Sequence, residues 1–154
     1  MAKRSCGIVL YRQVGGELQF LLTHPGGPFW QHRDAGAWTI PKGEPDGDEA
    51  DEACARREFR EELGADVVGP LTPLGDITQK GGKRVTAFAA QGDFDVSALS
   101  SNAFEMEWPP RSGRMQTHPE VDRAEWMTIA VARVKLLPAQ VELLDRLIEH
   151  VSRP

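Results

Sequence analysis

Residues 43–65 read GEPDGDEADEACARREFREELGA, and this stretch decides how the rest of the chain is interpreted. Asp48 is a helix-capping residue type and Gly64 suits a helix end, so the pattern predicts a helix from about Glu49 to Leu63. Within it, Glu58, Glu61 and Glu62 stand at i, i+3 and i+4, which is one helical face. Three carboxylates so placed repel one another, and a hard divalent cation removes that repulsion. Carboxylate oxygens suit Mg²⁺ or Mn²⁺ rather than zinc. Ala55, Phe59 and Leu63 repeat at i, i+4 and i+8 as a neighbouring apolar stripe, so the helix can bury one side and present carboxylates at the edge of a cleft. Gly43, Pro45 and Gly47 make the preceding loop irregular, the kind of backbone that can aim carbonyls at a metal.

An isolated E-x-x-E-E in a chain with 23 acidic residues is ordinarily a solvated helix face. The rest of the string argues otherwise. Gly43, Glu49, Arg57, Glu58, Phe59, Glu61, Glu62, Gly64 and Ala65 match the Nudix box in full spacing, and the chain resembles that hydrolase superfamily. Ala65 departs from the pattern, standing where a larger aliphatic residue is usual; this is a packing position, so the expected consequence is a small loss of stability. Trp38-Thr39-Ile40-Pro41-Lys42-Gly43 resembles the family's lead-in to the box, Ser5 to Arg12 its first strand, and Glu120 and Trp126 the late Glu and Trp of MutT-like members. The likeness covers about two-thirds of the chain and omits residues 93–119.

The resemblance implies an α+β fold, a mixed β-sheet sandwiched between helices with a loop-helix-loop catalytic motif, and a single domain over residues 1–154. It implies Glu58, Glu61 and Glu62 as ligands for one to three Mg²⁺ ions, with Mn²⁺ a possible substitute, and the backbone carbonyl of Gly43 as a further ligand. Arg57 would pair with Glu49 and hold the motif in shape. Glu120 would ligate a metal or act as base, or else be a solvated loop residue. In the mechanism expected from these parts, a metal-activated water attacks one phosphorus and a phosphate-bearing group leaves, with one Glu taking the water's proton. Glu61 and Glu62 lead as candidate bases, with Glu120 in reserve.

Around this motif the sequence predicts a hairpin of Ser5 to Arg12 with Leu18 to Thr23, then a Gly/Pro-rich loop running from His24 to Gly36. A short strand, Trp38 to Ile40, should stop at Pro41. Leu74 to Gln79 and Arg84 to Ala90 form a second hairpin across Gly81-Gly82. Residues 93–119 read as irregular, Ala124 to Thr128 as a strand, and Pro138 to Val151 as an amphipathic helix with Val141, Leu144, Leu147, Ile148 and Val151 on one stripe.

The expected substrate is a small phosphate compound, a nucleotide. Lys42 and Lys83 are candidate phosphate cations, as are Lys80 and Arg84, while Arg111 and Arg114 could clamp phosphate bidentately. Phe29, Trp30 and Trp108 are candidate stacking platforms for a base, with packing onto the core as the competing role. Pro41-Lys42-Gly43 resembles the lead-in of diadenosine tetraphosphate hydrolases and some MutT relatives, which favours dinucleoside polyphosphates or nucleoside triphosphates. A non-catalytic Nudix-fold nucleotide sensor is the alternative; such modules commonly lose box residues, and here Arg57, Glu58, Glu61 and Glu62 all remain. An isopentenyl-diphosphate isomerase would need further catalytic elements, and residues 93–119 could instead bind a partner.

Composition narrows the rest. The 154 residues suffice for a core without staples, and the net charge of −5 argues against polymeric nucleic acid as partner. There is no zinc-like spacing among His24, His32, His118 and His150, which read as solvated, and Cys6 and Cys54 read as packing residues. No membrane span or signal peptide is evident, so a cytoplasmic location is expected. There is no nucleophile elbow and no P-loop.

Overall fold

The computed structural model describes residues 3–153. At its centre is β1 (Arg4–Val14), whose residues Ser5 to Leu10 are all buried. Such a strand must be covered on both faces, and its alternation does this: Cys6, Ile8 and Leu10 enter one apolar cluster, Val9 the other. On one edge β1 pairs in parallel with β5 (Arg84–Gln91), which pairs antiparallel with β4 (Thr72–Thr78). The other edge is shared. β2 (Glu17–Pro25) pairs with Tyr11 to Val14, whereas β3 (Lys42–Gly43) pairs with Cys6 and Gly7. On its other edge β2 pairs antiparallel with β8 (Val121–Thr128) from Gln19 to Pro25. The sheet order is therefore β4-β5-β1-β2-β8, with β3 beside β1.

The gap where β2 leaves β1 is filled by residues 39–43. Thr39 exchanges backbone hydrogen bonds with Thr23 at 2.8 and 2.9 Å, and Ile8 N–H donates to the Pro41 carbonyl at 3.2 Å. Gly7 makes this approach possible, because a Cβ there would lie 2.6 Å from the Pro41 carbonyl oxygen and 2.7 Å from Lys42 Cβ. The expected strand at Trp38 to Ile40 is not formed. Trp38 and Thr39 make single bridges, to Leu136 and Thr23, and the strand starts after Pro41, at Lys42.

α1 (Asp51–Leu63) packs on one face of the sheet, with Cys54, Ala55, Phe59 and Leu63 in the cluster shared with Cys6, Ile8 and Leu10. Its first residue is later than the sequence suggested and Asp48 does not cap it; Ala50 is the cap residue and offers no side-chain hydrogen bond. Gly64 ends the helix in the left-handed region at φ 81°. The other face is covered by α2 (Ile129–Lys135) and α3 (Val141–Ser152), which bury Ala132, Leu143, Leu144 and Leu147. The mixed sheet thus lies between helices, an α+β arrangement. α2 was not anticipated, and the C-terminal helix begins with a 3₁₀ turn at Pro138–Gln140.

Residues 93–119 are not irregular. A 3₁₀ turn at Val96–Ala98 is followed by β6 (Ala103–Glu107) and β7 (Met115–Pro119), a separate two-stranded arm. Phe104, Met106 and Trp108 alternate with exposed Glu105 and Glu107. Their face meets the loop after β2, where Phe104 and Met106 approach Gly27 and the Trp108 ring lies edge-on to Phe29 with centroids 5.2 Å apart.

Candidate active site

The carboxylates of α1 are arranged by one guanidinium. Arg57 Nε and Nη2 donate to the two Glu49 oxygens at 2.9 Å each, and Nη2 also donates to the Glu44 carbonyl at 3.0 Å. Arg57 Nη1 donates to Glu58 Oε1 at 2.9 Å and Glu61 Oε2 at 3.0 Å. The bidentate pair ties the loop before the helix to its middle. Arg57 holds the Glu49 carboxyl down to about 2, with help from the Asp46 amide, and Glu49 in turn raises the Arg57 guanidinium.

On the neighbouring part of the same helix the charges are less well matched. Glu58 and Glu62 are buried although they are carboxylates. Burial raises Glu58, against the opposing pull of Arg57. Burial also pushes Glu62 up to about 8, with Glu58 and Glu120 adding repulsion and Lys42 partly offsetting it. Glu120 stands just before β8 with much of its surface open, and partial burial and Glu61 raise it as well. Carboxylates crowded into one region and raised by one another are a donor set that a hard cation would relieve. Among the described residues no three His, Cys, Asp or Glu side chains converge on one point, and Arg57 Nη1 bonds both Glu58 and Glu61.

Gly43 is a close fit against this group: a Cβ there would collide with the Glu58 carboxylate. Its carbonyl oxygen accepts from the Cys54 thiol at 3.5 Å. The oxygen-rich set and the glycine cradle fit Mg²⁺ or Mn²⁺ chemistry.

Glu62 and Glu120 line a cleft of about 240 Å³ together with Pro25, Trp30, Lys42 and Val121. Lys42 is pushed down to about 8, first by burial and then by nearby Lys83, so both lysines belong to this region. Trp30 contributes a wall of the cleft and has the Arg33 guanidinium 5.4 Å above its ring. Trp108 is set back, packed on exposed Phe29. Arg111 and Arg114 lie in the exposed turn of the arm and do not line the cleft, so they are not brought to the carboxylates. Trp126 stacks under Arg12, with its Nε1 on the Phe94 carbonyl, a packing role.

The residues 1–149 match the NUDIX domain family model. The chain belongs to the NUDIX family. As a Nudix protein that keeps Arg57, Glu58, Glu61 and Glu62 of the box it is a pyrophosphohydrolase in class. No curated protein sequence matches the chain. Among solved structures, it is similar to the NUDIX domain of Shewanella oneidensis NrtR complexed with ADP ribose, at 17% identity over 99% of this chain and 90% of that one, TM-score 0.69. A C. elegans Ap4A hydrolase binary complex matches at 22% identity over 98% of both chains, TM-score 0.65. A mutT/nudix family protein from Listeria innocua matches at 19% identity over 97% and 94%, TM-score 0.64. At such identities the structural likeness concerns the Nudix fold alone.

Two supporting features carry no local sequence signal. His24 is buried rather than solvated: it belongs to β2, and its two ring nitrogens lie 2.7 Å from Asp122 Oδ1 and 2.7 Å from the Arg33 carbonyl. The second is Gln140, fully buried, whose Oε1 accepts from Ile40 N–H at 2.9 Å and whose Nε2 donates to Thr39 Oγ1 at 2.9 Å and Gln79 Oε1 at 2.8 Å. It fixes the strand entry to the box from across the core. Neither residue sits in a local pattern that marks it. Among the described residues no helix is long and apolar enough to cross a membrane.

Proposed function

We propose that this Nudix chain hydrolyses a phosphoanhydride bond in a nucleotide, by attack of water, with Mg²⁺ as its cofactor and Mn²⁺ able to replace it. A dinucleoside polyphosphate or nucleoside triphosphate is the substrate class. The observation that carries this reading is the shared cleft of Glu62, Glu120 and Lys42, adjoining the Arg57-held pair Glu58 and Glu61. Glu58, Glu61, Glu62 and the Gly43 carbonyl would hold the ion. When bound, the ion supplies neutralising charge for phosphate oxygens and makes water more acidic.

The chain's own groups do the rest. Lys42 and Lys83 bind phosphate oxygens as point charges. One of Glu61, Glu62 and Glu120 accepts the proton of the attacking water. Arg57 holds Glu49, Glu58 and Glu61 in register, so that the carboxylates are positioned before substrate arrives. Trp30 offers its face to a base. Trp108, Arg111 and Arg114, farther out on the arm, suit the distal part of an extended substrate, which supports the dinucleoside polyphosphate reading over a short mononucleotide.

The test is a panel of nucleoside triphosphates, diadenosine tetraphosphate and sugar nucleotides, each with Mg²⁺, with products separated by chromatography. The expected result is Mg²⁺-dependent cleavage, fastest for diadenosine tetraphosphate. Binding of panel members without turnover of any would replace the hydrolase with a nucleotide-binding module.

A further inference from the structure

We propose that Ser101 is a positioning residue for Glu120, acting through a strap of residues 100–102 that joins the C-terminal end of α1 to the start of β8; this rests on the hydrolase reading above. A helix leaves its last four carbonyls without partners inside the helix. In α1 the Gly64 N–H takes the Arg60 carbonyl at 2.8 Å. The strap takes two more: Ser100 N–H donates to the Leu63 carbonyl at 3.1 Å and Asn102 N–H to the Glu61 carbonyl at 2.8 Å. The fit at Gly64 is close, since a Cβ there would lie 2.7 Å from the Ser100 carbonyl oxygen.

The same three residues hold the peptide that carries Glu120. Glu120 N–H donates to the Asn102 carbonyl at 2.8 Å, and the next amide, Val121 N–H, donates to Ser101 Oγ at 3.0 Å. Ser101 Oγ also donates to the Asn102 carbonyl at 3.1 Å, so one hydroxyl bridges both ends of this junction. On the far side, the Glu120 carbonyl accepts from Gly26 N–H at 3.0 Å, in the loop that carries Trp30. Glu120 is therefore set relative to Glu61 by two backbone steps through Asn102, and relative to the cleft wall by one. A carboxylate on a surface loop would otherwise sample many positions. Here its backbone is fixed at N–H and C=O alike, and its charge is felt at Glu58 and Glu62.

Ser101 supplies the only side-chain group in this relay; Ser100 and Asn102 act through backbone atoms. That distinction makes the proposal testable by substitution. Ser101→Ala removes the acceptor for Val121 and the second bond to the Asn102 carbonyl, Ser101→Thr keeps a hydroxyl, and Asn102→Ala leaves every strap bond in place.

The experiment measures kcat and KM for diadenosine tetraphosphate with Mg²⁺, beside amide hydrogen exchange of Glu120 and Val121 by NMR. Ser101→Ala should lower kcat about tenfold with KM within about twofold, and should speed exchange at both amides about tenfold. Ser101→Thr should restore both readings and Asn102→Ala should match the wild type. Combined with Glu120→Gln, Ser101→Ala should add no further loss of kcat, because its effect passes through Glu120. Additive losses would overturn the proposal, as would an unchanged kcat in Ser101→Ala where Glu120→Gln is impaired. The hydrolase reading is judged separately, by Glu62→Gln: if that variant keeps wild-type turnover the reading fails, whatever Ser101 does.

Discussion

The box helix and the two-stranded arm are built on opposite principles. α1 buries Cys54, Ala55, Phe59 and Leu63 against the sheet and carries its charged groups on a scaffold it cannot leave without exposing that face. The arm of β6 and β7 buries little: Phe104, Met106 and Trp108 are only half covered, and most of β7 is exposed. The difference separates two tasks. Groups that must hold charges in fixed register belong on the rigid helix, while a lightly anchored arm suits groups that adapt to what they meet.

The comparison predicts that changes on the helix abolish turnover whereas changes on the arm shift affinity. Glu62→Gln should lower kcat by about a thousandfold, the largest effect expected, read as Mg²⁺-dependent turnover. The same carboxyl gives a pH signature in metal-free protein. Its folded value of about 8 lies above the ordinary 4.5. Between those values the folded state keeps a proton that the unfolded chain has lost, so stability is greatest at the acidic end and falls as pH rises through the window. Thermal melts without metal should show Tm decreasing from about pH 5 to about pH 8, with a smaller slope in Glu62→Gln. Added Mg²⁺ should raise the wild-type Tm most at the upper end.

Next in size, Gln140→Leu should destabilise by about 1–3 kcal/mol in denaturant titrations, because the buried Ile40 amide loses its acceptor. On the arm, Trp108→Ala should raise KM for diadenosine tetraphosphate about tenfold and leave kcat nearly unchanged, as expected for a lost stacking contact worth ~1–3 kcal/mol. A collapse of kcat instead would erase the division between helix and arm. The smallest effect concerns Ala65, which lines a shallow pocket with Leu10, Phe59, Val67 and Phe94. Ala65→Val should stabilise by about 1 kcal/mol, since the added methyl groups enter existing apolar space.

The same contrast explains what could be read in advance. α1 announced itself because one-sided burial and a carboxylate-bearing face impose periodicity on neighbouring residues: Ala55, Phe59 and Leu63 on one stripe, Glu58, Glu61 and Glu62 on another. The hairpins around Gly15-Gly16 and Gly81-Gly82 were legible for similar local reasons. The arm was half legible. Phe104, Met106 and Trp108 alternate with glutamates as a strand should, but β7 is exposed on both faces and carries no alternation. α2 was hidden because Ile129, Val131 and Val134 are β-branched, and only Ala132 is buried. His24 and Gln140 could not be found locally, since their partners are about 100 residues away: Asp122 for one, Thr39 and Ile40 for the other. The strap at residues 100–102 is likewise made of backbone bonds to distant elements, for which a one-dimensional pattern holds no sign.

The most direct measurement is turnover of diadenosine tetraphosphate as a function of Mg²⁺ concentration for the wild type and for Glu58→Gln, Glu61→Gln and Glu62→Gln. The wild type should be inactive without the ion and saturate with it, and each variant should need more Mg²⁺ or lose at least about a hundredfold in rate. Wild-type rates and Mg²⁺ dependence in all three variants would contradict the account.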